Sequence, residues 1–170
     1  MDLKEKIRNI PDFPKKGIMF RDITTLLQDA RAFNYAVAKM TEYGRTKNVD
    51  AVVGIESRGF IFGAVIAHQL GVGFVPVRKR GKLPGEKVDV EYTLEYGTDC
   101  VEMHADAFKD GDRVLIVDDL LATGGTAAAT AALVEKIGGV VVGMCFLIGL
   151  SDLSGIDKLK KYDVFQLVQY

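Results

Sequence analysis

Apolar positions along this chain come in short blocks of two kinds. Ala51 to Ile55, Gly73 to Val77, Val114 to Val117 and Val140 to Ile148 are brief apolar runs, the form taken by strands buried on both faces. Between them, Gly59 to Leu70 and the stretches from about Ala32 to Thr46 and about Thr126 to Ile137 read as helices. Gly138 and Gly139 close the last of these. Val90, Tyr92, Leu94 and Tyr96 alternate with Glu91, Thr93 and Glu95, the period of a strand, and Gly97-Thr98-Asp99 turns the chain toward a partner near Val101 to Met103. The spacing of Leu3, Ile7 and Ile10 predicts an opening helix stopped by Pro11; Pro11 to Thr25 reads as irregular, broken by Pro14 and Gly17. Strands alternating with helices imply an α/β fold, a mainly parallel sheet with helices on both faces. In that class ligands bind beyond the carboxyl ends of the strands. The segments after Ile55, Val77 and Val117 therefore come first in the search for chemistry.

Composition narrows the picture. With 170 residues, 48% apolar and 26% charged, the chain supports one core and a single domain, residues 1–170, and is not disordered or collagen-like. Its two cysteines, Cys100 and Cys145, form no C-x-x-C, which excludes a disulfide framework and suits a reducing, cytoplasmic setting. Gly59 to Val77 lacks charge but is interrupted by His68, Gln69, four glycines and Pro76; it reads as helix, turn and strand. The apolar run Ile137 to Ser151 is too short for a membrane, which takes about 20 residues. The opening MDLKEKIRNI carries charges where a secretory leader has its apolar core. Net charge is −1, yet residues 1–85 balance at +7 and residues 86–170 at −8. No broad attraction to nucleic acid is expected. One cationic cluster, Arg78-Lys79-Arg80-Gly81-Lys82, suits a compact anion instead.

The strongest chemical signal is Val114-Leu115-Ile116-Val117-Asp118-Asp119-Leu120-Leu121-Ala122-Thr123-Gly124-Gly125-Thr126. A buried strand ends in two adjacent carboxylates, and Ala122 to Thr126 then opens a helix. Glycines permit close backbone approach. Successive N–H groups, a helix N-terminus and two threonine hydroxyls converge on one point, a seat for a phosphate monoester. Carboxylates beside such a seat repel phosphate, so Asp118 and Asp119 suit either sugar hydroxyls or the water shell of Mg²⁺. A P-loop is excluded because no G-x-x-x-x-G-K-[ST] occurs. A dinucleotide fingerprint fails because Pro76 falls where its last glycine would sit. Glu56-Ser57-Arg58-Gly59 repeats the architecture, a buried strand running into a helix.

The Asp118 segment resembles the phosphoribosyl pyrophosphate (PRPP) signature of the type I phosphoribosyltransferases. Phe20-Arg21-Asp22-Ile23, Glu56 to Phe60, and Arg78 to Gly85 with Leu94-Glu95-Tyr96-Gly97 narrow the resemblance to the adenine-specific family, in order along essentially the full chain. It implies the type I phosphoribosyltransferase fold with a small N-terminal hood, about residues 1–30, and a flexible β-hairpin loop. The implied reaction joins adenine to PRPP, giving AMP and pyrophosphate, with Mg²⁺ held through PRPP and water and no direct protein ligand. Substrates are small molecules, without nucleic acid or membrane, and a homodimer is implied.

Site roles follow from the same resemblance. Ala122, Thr123, Gly124, Gly125 and Thr126 hold the 5′-phosphate, and Asp118 and Asp119 serve the ribose and metal-bound water. Ser57, Arg58, Arg78 and Lys82 bind pyrophosphate, Arg78 reaching a neighbouring subunit from a mobile loop spanning Arg78 to Lys87. A cis peptide often precedes the serine matching Ser57. Glu95 is the catalytic base at N7 of adenine. Met19, Phe20 and Arg21 bind adenine, Met19 standing where a branched aliphatic residue is usual. Other base specificities on the same scaffold, and a PRPP-sensing regulator, compete with this reading; the chain shows no basic helix of the kind a regulator uses.

Overall fold

The run Ala51–Ile55 forms strand β3, buried along its whole length, and it lies at the centre of a seven-stranded sheet. The computed structural model describes residues 1–94 and 97–170. It divides into two compact units, Met1–Lys39 and Met40–Tyr170.

In the first unit a short 3₁₀ turn precedes strand β1 (Arg8–Ile10), which pairs antiparallel with β2 (Phe20–Asp22). The predicted opening helix is therefore absent. Three apolar residues over two turns are too few to fix a helix, and strand pairing takes Ile10 instead. The stretch read as irregular contains β2 and the start of a short helix, α1 (Thr24–Gln28). Asp22 organises this corner: it accepts from the Thr24 amide at 2.9 Å and hydroxyl at 2.7 Å, and pairs with Arg8 at 2.8 Å. Those hydrogen bonds hold its carboxyl below the usual range. Helix α2 (Ala30–Arg45) carries the chain into the second unit.

There, α3 (Gly59–Leu70), β4 (Gly73–Lys79), β5 (Lys87–Thr93), β6 (Thr98–His104), β7 (Arg113–Leu121), α4 (Gly125–Ile137), β8 (Val140–Gly149) and β9 (Val164–Gln169) follow. The sheet runs β5-β6-β4-β3-β7-β8-β9. From β4 through β9 every neighbour is parallel; β6 joins β4 and β5 antiparallel, so a hairpin forms one edge. Val53, Ile55, Ile116, Met144 and Phe146 point to one face and cluster with Ala131, Leu133 and Val134 of α4. On the other face α3 approaches so closely that a Cβ at Gly63 would stand 3.3 Å from the Gly54 Cα. Each large apolar side chain removed from water here contributes about 1.5–3 kcal/mol, and this double-sided burial fixes the register that aligns the strand ends.

Two boundaries differ from the sequence reading in ways that matter. Strand β7 does not stop at the carboxylates but runs on to Leu121, because Asp118, Leu120 and Leu121 keep their β8 partners Phe146, Ile148 and Gly149. Strand β4 likewise extends through Arg78 and Lys79, which pair with Glu102 and Val101.

Candidate active site

The cradle forms where β7 ends and α4 begins. Gly124 has φ +78°, the left-handed region, and the carbonyl oxygen of Gly155 occupies the space a Cβ would need. Glycine alone fits there. Its carbonyl accepts the Ala128 amide at 3.0 Å, so α4 starts squarely on the loop. A cavity lined by Asp118, Leu120 to Ala127 and Phe146 opens at this point. It meets the positive end of a 13-residue helix, the environment in which a phosphate is stabilised. Gly155, in the 3₁₀ segment Gly155–Leu159, backs the cradle from a distant part of the chain, and no local sequence signal marks it.

A second cavity is lined by Ile55, Glu56, Ser57, Arg58, Lys79, Asp118, Asp119, Leu120 and Thr126. It joins the Ser57-Arg58 loop, the paired carboxylates and the last residue of the cradle in one space. The two loops are in direct contact: a Cβ at Gly59 would lie 2.8 Å from Asp118 Oδ1 and 2.9 Å from the Val117 carbonyl. The Glu56–Ser57 peptide is cis, as the resemblance implies.

Electrostatics distinguish the two acidic groups of this space. Burial and the neighbouring Asp119 charge raise the Asp118 carboxyl well above its ordinary range. Burial raises Asp119 as well, against the opposing pull of Arg58, whose Nε lies 2.7 Å from Asp119 Oδ2. Two adjacent carboxylates with one guanidinium leave acceptor capacity facing the cavity, which fits sugar hydroxyls and the water shell of a hard divalent cation. Among the described residues no group of three or more His, Cys, Asp or Glu side chains is arranged to hold a metal ion.

A stability test follows from the sign of that shift. A carboxyl raised in the folded state favours folding while protonated and opposes it once pH rises through the shifted value. Asp118→Asn removes the buried charge and keeps an oxygen for the Asp119 amide, which Asp118 Oδ1 accepts at 2.8 Å. The variant is expected to melt a few degrees higher at pH 8, about 2–4 °C per kcal/mol, with the gain shrinking in acid and turnover falling at least about tenfold. Paired thermal melts at pH 8 and pH 4.5 check it; a lower melting temperature at pH 8 contradicts it.

Arg78 and Lys82 do not line the cavity. Both are gathered by Glu56 of their own chain, Lys82 Nζ at 2.7 Å and Arg78 at 3.2 Å, while the Lys79 amide donates to the same carboxylate at 2.9 Å. Against the cost of burial, Lys82, the Lys79 amide and Arg78 together pull the Glu56 carboxyl down to about 2. The segment read as a mobile loop thus has strand at both ends. Its cations are paired, Arg80 with Glu91 at 2.6 Å, and the Gly81 amide donates to buried Glu102 at 3.0 Å.

Met19 is exposed, and Phe20 and Arg21 lie half-buried in β2, with the Phe20 ring edge-on to Phe13 at 5.0 Å. Glu95 falls outside the described residues. Lys79 and Glu56, both lining the central cavity, enter the sequence reading only as members of their segments, with no role of their own.

Known proteins place this arrangement. The family profile described as phosphoribosyl transferase domain matches residues 23–168, and the chain belongs to that family. Within it, the adenine phosphoribosyltransferase of Clostridium acetobutylicum is 59% identical over 170 residues, covering 100% of this chain and 99% of that protein. The corresponding protein of Brachyspira hyodysenteriae is 57% identical over the full length of both. The crystal structure of adenine phosphoribosyltransferase from Thermoanaerobacter pseudethanolicus superimposes with a TM-score of 0.96 at 54% identity, covering 99% of this chain and 98% of that one. The type I phosphoribosyltransferase fold is thereby shown. No helix among the described residues is long and apolar enough to cross a membrane.

Proposed function

We infer that this protein transfers the 5-phosphoribosyl group of PRPP to N9 of adenine, giving AMP and pyrophosphate, a purine-salvage reaction. One observation carries the assignment of roles: a single cavity joins Ser57 and Arg58 to Asp118, Asp119 and Thr126. A phosphorylated sugar with a second, leaving phosphate group needs two anion sites separated by acceptors for its hydroxyls. That cavity brings these groups together. The relatives and structural neighbours supply the base, since the yeast neighbour, 41% identical, was solved with adenine.

Amides and hydroxyls from Ala122 to Thr126 hold the 5′-phosphate. Asp118 and Asp119 accept from the ribose hydroxyls. Asp118 and Asp119 would hold Mg²⁺ through water, and the ion would supply positive charge for the departing pyrophosphate. Ser57 and Arg58 receive that group, Arg78 reaches it from the loop of a neighbouring subunit, and Lys82 belongs to the same loop. The C1′–O bond loosens before N9 closes in, so leaving-group stabilisation is the main term. Glu95 takes the N7 proton as N9 bonds to C1′, and Met19, Phe20 and Arg21 are assigned to adenine. The enzyme works as a cytoplasmic homodimer. AMP formation from PRPP, measured with each purine base with and without Mg²⁺, tests the reading: adenine alone turns over, and only with the metal. Turnover of xanthine with none of adenine overturns it.

A further inference from the structure

The Tyr92 phenol stands outside every role above, yet it touches three elements of the site. Tyr92 is the penultimate residue of β5, and its ring packs on the cradle, where a Cβ at Gly125 would meet Tyr92 Cδ2 at 3.3 Å. Thr126 donates its hydroxyl hydrogen to the phenol oxygen at 3.0 Å. The phenol in turn donates to Asp99 Oδ2 on β6 at 3.1 Å. Lys79, from the end of β4, donates to the phenol at 3.3 Å and is ion-paired with Asp99. One hydroxyl therefore ties the cradle to both strands of the hairpin.

We propose that Tyr92 is a positioning residue that couples occupancy of the phosphate cradle to the order of strand β5. Thr126 has one hydroxyl hydrogen, committed to Tyr92, and a sugar phosphate seated in the cradle competes for it with a charged oxygen. When Thr126 turns that hydrogen to the phosphate, its oxygen becomes an acceptor facing the phenol. Tyr92 then swings its own hydrogen from Asp99 to Thr126, and Asp99 keeps Lys79 as its partner. No heavy atom has to move. The chain Tyr92 to Thr126 to phosphate is polarised in one direction, and each bond strengthens the next. Phosphate binding thus moves the phenol hydrogen from β6 to the cradle and fastens β5, the strand that carries Tyr92, before adenine arrives.

This rests on the reading of residues 122–126 as the seat of the sugar phosphate, and the test separates the two. Ribose 5-phosphate is titrated into the wild-type protein and into Tyr92→Phe, with amide hydrogen exchange followed over Lys87–Thr93. Adenine affinity is measured in each protein with and without saturating ribose 5-phosphate. In the wild type, ribose 5-phosphate is expected to slow exchange along β5 and to tighten adenine about fivefold or more. Tyr92→Phe still binds ribose 5-phosphate, which shows it folded, but its β5 exchange does not respond and adenine tightens less than about twofold. The same slowing and tightening in Tyr92→Phe overturns the proposal, as does a wild-type β5 indifferent to a ligand that binds. Failure of ribose 5-phosphate to bind the wild type overturns the cradle reading and this proposal with it.

Discussion

Gly124→Val loses at least about 100-fold in affinity for PRPP and for ribose 5-phosphate while remaining folded, as isothermal titration beside a circular dichroism spectrum would show. Two independent obstacles produce this. Gly124 sits at φ +78°, where a side chain costs about 1–2 kcal/mol and a β-branched one more. The new Cβ also falls on the Gly155 carbonyl oxygen, which is backbone and cannot swing aside. The loop must move outward, and its amides leave the point on which they converge. A displacement of about 1 Å costs a preorganised site about two orders of magnitude. Overall stability falls far less, because the core clustered on α4 lies beneath the loop and is untouched. Binding within about threefold of wild type would show that these amides are not the phosphate seat.

Much of this site was legible because its parts are contiguous. Asp118 to Thr126 lies in one stretch, and the reason for each residue type, a strand end, a close approach or a helix start, is local. The limits of α3 and the centres of β3, β7 and β8 were readable for a related reason: both faces of those strands are buried, so their apolar runs are unbroken. Legibility failed where distant pairing decides. Asp118 and Asp119 look like the end of a strand, but β8 keeps supplying partners to Leu121. Residues Arg8–Ile10 become a strand only because β2, ten residues further on, is there to pair with them.

The same division applies to the chemistry. Glu56 reads as a polar residue after a strand, and its hold on Arg78 and Lys82 comes from the parallel register that sets Ile55 beside Val77. Lys79 reads as one cation in a charge run. Its place in the central cavity follows from the extension of β4 against β6. Tyr92 looked like an ordinary alternating strand residue, and alternation did predict its inward face. That its hydroxyl would meet Thr126, 34 positions later, depends on how α4 packs against β5. Sequence thus names the groups proposed to touch substrate, and the fold names the groups that hold them.

Glu95→Gln is expected to lower kcat by about 10²–10⁴-fold, the contribution typical of a positioned general base. The KM for PRPP stays within about threefold of wild type, because none of the groups assigned to PRPP is altered. Gln matches Glu in shape, and its amide still forms a hydrogen bond at N7, so adenine binding is retained better than turnover. What the amide cannot do is take the proton that N7 must release as N9 bonds to C1′. Microscopic reversibility makes the same demand on the reverse reaction, in which that residue returns a proton to N7 as adenine leaves AMP. Pyrophosphorolysis of AMP should therefore slow by the same factor as AMP synthesis. A variant defective only in adenine capture would instead raise the KM for adenine and recover near-normal kcat at saturation. Steady-state kinetics in both directions separates these cases, and a kcat within about threefold of wild type removes Glu95 from proton transfer.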